Sequence, residues 1–391
     1  MITSAYIHIP FCEKLCHYCD FTKFFYDEKM ADEYLVALEK EISTAIEQPS
    51  KKMKTIFVGG GTPTALNNRQ LLQLVEMIAH YFDVSGVEEY TFEANPGDLT
   101  KEKIDILVSH GVNRISMGVQ DFNDEMLEKL GRLHRVKDVY QNVNDLQNAG
   151  LTNISIDLMF SLPNQTMEHF SKTLEEAISF NLPHYSAYSL QIEPKTVFYQ
   201  RYKKGTLSKP PEEVEADMYE LLRKRMREED KNQYEISNFA RAGYESKHNL
   251  TYWNNEYYYG FGAGASGYLP GYRTINVRPF PAYVKEAKAS GKPVLYTDEI
   301  TKKERIEEEM FLGLRKSEGV SLQSFYSKYH LDLKKIYSDT FEKLTQKGWM
   351  ELSDGFVRLT EDGKPFGNEV FQEFLLEDDI WEQWKDAIKE S

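Results

Sequence analysis

Residues 6–19 read Tyr6-Ile-His-Ile-Pro-Phe-Cys12-Glu-Lys-Leu-Cys16-His-Tyr-Cys19. All three cysteines of the 391-residue chain lie in this stretch. An odd number of thiols confined to one short segment cannot be a disulfide framework. It reads as a metal site in a reducing compartment. The spacing is C-x3-C-x2-C. Three such thiolates can each hold one iron of a cubane, leaving the fourth iron open to an outside ligand. Thiolate donors favour iron–sulfur or zinc over hard ions. Two plainer readings stay open on spacing. One is structural zinc, completed by His8 or His17. The other is one face of a helix, which Pro10 and the flanking aromatics oppose.

Outward from this loop the chain alternates. Ala5–Ile9 reads as a strand, and five further strands are expected at Thr55–Val58, Glu89–Glu93, Arg114–Gln120, Ile154–Phe160 and His184–Leu190. Between them, windows such as 32–46, 71–82, 101–110, 136–149, 167–180 and 213–227 carry the helical apolar period. Six strand–helix units argue for parallel strands with outer helices. Six fall short of the eight of a closed barrel. The expected fold is therefore α/β, a partial (β/α)6 barrel over residues 1–240, with an open doubly wound sheet as the alternative. Residues 241–300 are rich in Gly, Tyr and Asn and read as a connecting segment of loops and short strands. Residues 301–391 read as a smaller α+β, winged-helix-like domain: helices at 303–314, 322–328 and 333–347, a hairpin arm at 355–359 and a last helix at 367–374.

The net charge is −15 and the pI about 5.2. Such a chain repels nucleic acid and anionic lipid, so nucleic acid is excluded as a partner and membrane contact is at most peripheral. No apolar run reaches membrane-spanning length, and the N-terminus lacks the features of a signal peptide. A cytoplasmic protein is expected. Charged stretches at Arg223–Lys231 and Lys302–Glu309 read as a helix end and a solvated helix face.

Further candidates sit at strand ends. Gly59-Gly60-Gly61-Thr62 follows the second strand, where bare backbone can approach a ligand and Thr62 adds a hydroxyl. A tight turn explains such glycines equally well. Glu93 ends the third strand and Gln120 the fourth. Asp157 lies in the fifth, and Arg132 follows Gly131. A buried carboxylate needs a partner, and Arg132 is the expected one for Asp157. His248-Asn249-Leu-Thr-Tyr252-Trp253 places a histidine beside flat aromatic faces. The plain reading of His248 is a hydrogen-bonded histidine among packed aromatics.

The cysteine segment resembles the cluster loop of the radical S-adenosylmethionine superfamily. The resemblance implies a [4Fe–4S] cluster on Cys12, Cys16 and Cys19, with S-adenosylmethionine chelating the fourth iron. One-electron cleavage then gives methionine and a 5′-deoxyadenosyl radical. The glycine loop resembles the motif that meets the methionyl ammonium group. It further implies that Tyr6, Gly60, Gly61, Thr62 and Glu93 serve one S-adenosylmethionine, and Gln120, Arg132 and Asp157 a second.

The resemblance runs over residues 2–375 and divides between two relatives. One is oxygen-independent coproporphyrinogen III dehydrogenase, which oxidatively decarboxylates a porphyrinogen. The other is the dehydrogenase-like haem chaperone family, which binds haem and delivers it to haemoproteins. Three features favour the chaperones. The dehydrogenase has a fourth cysteine where this chain has Phe21. It also carries a longer segment before its cluster. His248–Trp253 matches the chaperones' H-N-x-x-Y-W signature, which implies haem binding at His248, Asn249, Tyr252 and Trp253. Haem, haemoprotein clients and an electron donor such as flavodoxin or ferredoxin are the partners this implies. The Tyr and Trp excess near residues 252–259 hints at an interface, for which a homodimer is one reading.

Overall fold

The computed structural model describes residues 2–385. The tail of the 301–391 segment, 386–391, lies outside the described residues, as does residue 1. Six parallel strands stand side by side in chain order: β1 (Ser4–Ile9), β2 (Thr55–Gly60), β3 (Glu89–Ala94), β4 (Arg114–Gln120), β5 (Ile154–Phe160) and β6 (His184–Ser189). Between and after them come α1 (Glu28–Ala45), α2 (Asn68–Tyr81), α3 (Lys101–Ser109), α4 (Asp124–Leu130), α5 (Val136–Asn148), α6 (Met167–Ser179), α7 (Val197–Lys203) and α8 (Glu212–Glu228).

The sheet then grows at both edges. Beyond β6 lie the antiparallel β8 (Asn238–Ala240) and, outside it, β7 (Asn232–Gln233). Beyond β1 lies β9 (Tyr259–Phe261), parallel to it. The nine-stranded sheet is open among the described residues, as six units predict.

Alternation along each strand decides what faces where. Ile7 and Ile9, Ile56 and Val58, and Ile115, Met117 and Val119 are fully buried in the main core with the helices. The other parity is polar: Tyr6 and His8 on β1, Thr91 and Glu93 on β3, Arg114 and Ser116 on β4, Ser155 and Asp157 on β5. Registers place these groups side by side, with Glu93 opposite Ser116 and Gly118 opposite Asp157. A sheet with apolar outer and polar inner faces is shaped to enclose a polar ligand.

Residues 241–300 differ from the expectation of loops and short strands. They contain two helices, α9 (Lys247–Trp253) and α10 (Phe280–Ser290), and a three-stranded antiparallel sheet of β10 (Ser266–Leu269), β11 (Tyr272–Asn276) and β12 (Val294–Glu299). Phe280 and Tyr283 of α10 pack against Tyr34 of α1. The aromatic and glycine content masked these elements. Tyr and Phe suit strands and helix faces alike.

The C-terminal unit has its own core, from Ile306 to Leu376. It comprises α11 (Lys302–Gly313), α12 (Leu322–Tyr329), α13 (Leu333–Ile336), α14 (Ser338–Gln346), α15 (Gly367–Gln372) and α16 (Asp378–Trp384) around a small sheet. The sheet order is β13 (Val320–Ser321), β15 (Phe356–Leu359), β14 (Met350–Ser353). The single helix expected over 333–347 is broken at Tyr337, whose hydroxyl donates to the Phe374 carbonyl at 3.0 Å. α16 was not anticipated.

Candidate functional site

The cysteine loop leaves β1 at the C-terminal end of the strands. It is not a helix. Phe11–Cys12 pairs in parallel with Phe24–Phe25, so the loop is closed at its base. The Tyr26 amide donates to the Cys12 carbonyl at 2.9 Å, and the Thr62 amide to that of Phe11 at 2.7 Å. The glycine loop therefore packs directly under the cysteine loop. A Cβ on Gly61 would stand 2.8 Å from the Phe11 carbonyl oxygen. On Gly60, which has φ +113°, it would stand 2.3 Å from the His8 ring. Only glycine permits both the conformation and the approach.

The middle of the loop is pinned by His17. Its amide donates to the Leu130 carbonyl at 2.9 Å, and its Nδ1 hydrogen-bonds the Lys129 carbonyl at 2.8 Å. Its carbonyl accepts from the Phe198 amide at 3.0 Å. His8 spends both ring nitrogens, one on the Tyr6 hydroxyl at 2.9 Å and one on the Thr22 carbonyl at 2.7 Å. The two histidines named for a zinc site are thus braces of the loop. Among the described residues no three His, Cys, Asp or Glu side chains form a group that could hold a single ion. The metal assignment rests on donor chemistry.

A chain of polar contacts links two of the thiols. The Thr62 hydroxyl donates to Cys12 Sγ at 3.7 Å and accepts from Asn95 Nδ2 at 2.9 Å. Asn95 Oδ1 accepts from Arg132 Nη2 at 2.5 Å, and Arg132 Nη1 donates to Cys16 Sγ at 3.4 Å. Lys23 reaches the Cys19 carbonyl and draws that thiol's pKa down. Burial nonetheless raises the Cys19 pKa and pushes Cys12 up to about 12. Three thiols surrounded by cations and weak donors suit soft-metal ligation, where the metal displaces the protons. The donor set fits an iron–sulfur cluster.

Below the loop, Glu93 accepts from the Gly60 amide at 2.8 Å. Burial and the nearby Asp157 charge raise its pKa to about 7, against the Gly60 hydrogen bond and Arg114. The expected Arg132–Asp157 pair is not formed. Arg132 is taken by Asn95, the Gly118 carbonyl and Cys16. Asp157 instead accepts from Ser116 at 3.1 Å and Ser155 at 3.5 Å, and its nearby cation is Arg114. Gln120 sits where β4 shifts register, with φ +71°, beside Gly118 and Arg132. Buried donors remain unpartnered here: Arg132 Nε, Arg114 Nε and the Thr91 hydroxyl. Such orphans are costly unless a ligand or water meets them, so this polar inner face suits a polar cofactor.

Arg114 and Asn95 were missed in the sequence. Arg114 is 2% exposed, opens β4 opposite Thr91, and its charge acts on both acids. Its inward parity on β4 was readable; that it would serve Asp157 in place of Arg132 was not.

His248 lies at the opposite end. α9 plugs the floor of the barrel. Glu89 accepts from Ser246 Oγ and the Lys247 and His248 amides at 2.8 to 3.2 Å, a carboxylate at a helix N-terminus. His248 is 1% exposed. Its Nδ1 meets the Thr55 hydroxyl and its Nε2 the Tyr252 hydroxyl, each at 2.8 Å. Its ring stacks on Phe57 at 5.3 Å. Both ring nitrogens are thus hydrogen-bonded within the chain. Asn249 donates its amide to Ser246 Oγ at 3.3 Å as part of the helix cap. Trp253 faces the Arg315 guanidinium at 5.5 Å. Among the described residues no helix is long and apolar enough to cross a membrane.

An open barrel with three cysteines on the loop after its first strand defines a protein of the radical S-adenosylmethionine class. The model of that superfamily matches residues 6–177, and that of the HemN C-terminal domain matches 300–366. The heme chaperone HemW of Bacillus subtilis is 51% identical over 376 residues, covering 96% of this chain and 99% of its own. That of Lactococcus lactis is 44% identical, covering 96% and 98%. The solved structure of coproporphyrinogen III oxidase (HemN) from Escherichia coli has the same fold. Its TM-score is 0.83 at 22% identity, with 96% of this chain and 90% of that chain covered. The chain belongs to the HemW family of heme chaperones, within the radical S-adenosylmethionine superfamily.

Proposed function

We propose that this protein binds haem and delivers it to haemoproteins, on a scaffold that carries a [4Fe–4S] cluster and S-adenosylmethionine. One observation carries the reading: half of all positions are shared with a heme chaperone HemW across nearly the whole of both chains. The thiolates of Cys12, Cys16 and Cys19 hold the cluster. When bound, it supplies one electron to S-adenosylmethionine. Thr62 and Arg132 donate toward the thiolate sulfurs and stabilise their charge. Gly60, Gly61 and Thr62 offer the backbone and hydroxyl edge for the methionyl end, Tyr6 lines the inner wall, and Glu93 accepts from the ribose. Gln120, Arg132 and Asp157 serve a second S-adenosylmethionine. Flavodoxin or ferredoxin is the class of electron donor, and association as a homodimer belongs to the same reading. Phe21 is 66% exposed where the dehydrogenase has a cysteine, which adds weight to the chaperone side.

The test is transfer. Haem-loaded, anaerobically reconstituted protein is mixed with an apo-haemoprotein, and the acceptor's Soret band is followed. Transfer faster than spontaneous haem loss supports the reading. No haem uptake at micromolar haem, or turnover of coproporphyrinogen instead, overturns it.

A further inference from the structure

One side of α7 is fixed against the cysteine loop. The Phe198 amide donates to the His17 carbonyl at 3.0 Å, and the Phe198 ring lies 6.1 Å from that of His17 and 6.4 Å from that of Tyr18. His17 and Tyr18 are the two residues between Cys16 and Cys19. Phe198 is buried in a small core with Met126, Leu130, Met159, Leu162 and Leu190. The Thr196 hydroxyl caps the helix, accepting from the Tyr199 amide at 3.1 Å. The buried side of α7 thus touches the segment that links two of the thiols.

The other side carries charge of one sign. Residues 194–211 hold Lys195, Arg201, Lys203, Lys204 and Lys209 and no Asp or Glu. The whole chain has a net charge of −15, so this run reverses its sign over one short stretch. Lys209 is paired with Glu215 at 2.9 Å. The other four are exposed and have no carboxylate at ion-pair distance among the described residues; Lys203 Nζ lies 5.5 Å from the centre of the Tyr199 ring. Among them Val197 and Tyr202 are 44% and 54% exposed. The acids that flank the run in sequence are Glu193 before it and Glu212 and Glu213 after it.

Unpaired cations around exposed apolar side chains suit a docking patch, since charge speeds encounter and apolar contact holds the complex. The sign makes the partner acidic. An anionic membrane and an acidic protein both answer to that. A membrane is extended and would also meet the excess acids of the rest of the chain, whereas a small protein meets the patch alone. With seven residues and two exposed apolar side chains, α7 has too little apolar face to seat in a bilayer. A protein bound here also stands beside the loop that holds all three cysteines.

We infer that α7 is the docking surface for an acidic one-electron carrier protein, whose carboxylates meet Lys195, Arg201, Lys203 and Lys204, whose apolar surface meets Val197 and Tyr202, and whose electron enters the cluster beside His17. The inference rests on the cluster reading and deepens it. The carrier is oxidised by one electron and the cluster is reduced by one, with no bond made or broken.

The test uses the full-length, anaerobically reconstituted protein and an acidic flavodoxin. Wild type is compared with the pair Lys203→Glu and Lys204→Glu, and with a control pair on α13, Lys334→Glu and Lys335→Glu. Both pairs are exposed and change the net charge equally. At about 50 mM salt the α7 pair should be reduced by reduced flavodoxin about tenfold more slowly than wild type and bind oxidised flavodoxin about tenfold more weakly, and both gaps should close toward about 500 mM. The control pair should stay within about twofold of wild type. Dithionite should reduce all three alike. Equal rates and affinities for wild type and the α7 pair, an equal loss in the control pair, or no reduction of wild type by flavodoxin overturns the docking surface. So does binding of wild type, and not of the α7 pair, to phosphatidylserine vesicles with flavodoxin reduction unchanged, which makes the patch a lipid contact. Should the α7 pair not fold, wild type decides: a rate that does not fall as salt rises overturns the proposal. Protein that assembles no cluster overturns the cluster reading itself, and the binding titration still reads the surface.

Discussion

At the C-terminal end of the barrel strands, Cys12 and Cys16 receive long contacts, 3.7 Å from Thr62 and 3.4 Å from Arg132, and buried donors nearby lack partners. At the N-terminal end, His248 has two hydrogen bonds of 2.8 Å and a stacked neighbour. Both ends are rich in polar side chains with low exposure. Both also leave a buried donor unpartnered, Arg132 Nε at one end and Trp253 Nε1 at the other, so the contrast lies between the loosely contacted thiols and His248 itself, both of whose ring nitrogens are hydrogen-bonded. A buried polar group short of partners marks a place for a ligand, while a saturated one marks a joint in the scaffold. By this criterion the thiols are poised for a ligand and the His248 ring is a joint in the scaffold, while Trp253 in the same motif still has an open donor.

Substitutions test this contrast most sharply at the thiols. Cys16→Ala should abolish four-iron cluster assembly, read as loss of iron and of the visible cluster absorbance. His248→Gln should leave iron content at the wild-type level. An equal loss of iron from both would erase the contrast.

The second effect is one of stability. His248→Ala leaves the Thr55 and Tyr252 hydroxyls without a partner and opens a cavity on Phe57. It should cost about 3 kcal/mol in urea unfolding. A cost under about 1 kcal/mol would mean that α9 is not anchored through this ring.

The third compares both ends with a buried carboxylate outside them. Glu41 on α1 accepts from Tyr283 and Asn276 at 2.6 Å and from the Gly262 amide at 2.9 Å. Burial raises its pKa to about 7. The folded state therefore keeps a proton that the unfolded chain loses near pH 4.5. Its contribution is fully present below that pH and is lost as pH rises through about 7, by about 3 kcal/mol. Glu41→Gln should flatten the difference in urea midpoint between pH 5 and pH 8. An unchanged pH dependence would contradict the assignment.

The smallest effect concerns Arg114. Its charge lowers the pKa values of both Glu93 and Asp157. Arg114→Met should raise the Glu93 pKa beyond about 7, weakening S-adenosylmethionine binding about tenfold at pH 7 and less at pH 9. Equilibrium dialysis across that range reads the shift. A loss independent of pH would make Arg114 a packing residue.

The open barrel and its strand ends were legible because each strand alternates cleanly and each cysteine lies in one loop. Arg114–Gln120, for example, lies where its Ile, Met and Val periodicity puts it. Partner choice was not legible. Arg132 and Asp157 are both inward-facing and oppositely charged, yet Asn95 and the Gly118 carbonyl lie closer to Arg132. The motif at 248–253 was visible as a pattern, but a sequence cannot say that Thr55, 193 positions away, takes the imidazole. Arg223–Lys231 reads as a charged helix end, yet Arg223 and Arg227 line a cleft with Glu351, Arg358 and Glu361 of the C-terminal unit, a contact no local pattern announces. Lys302–Glu309 was read as solvated, yet Glu309 is 7% exposed and paired with Lys328.

The most direct measurement is electron paramagnetic resonance of the anaerobically reduced protein, with and without S-adenosylmethionine, in wild type, Cys16→Ala and His248→Gln. Wild type and His248→Gln should give the same four-iron cluster signal, changed in shape when S-adenosylmethionine is added, and Cys16→Ala should give none. A cluster signal indifferent to S-adenosylmethionine, or one abolished by His248→Gln, would contradict the account.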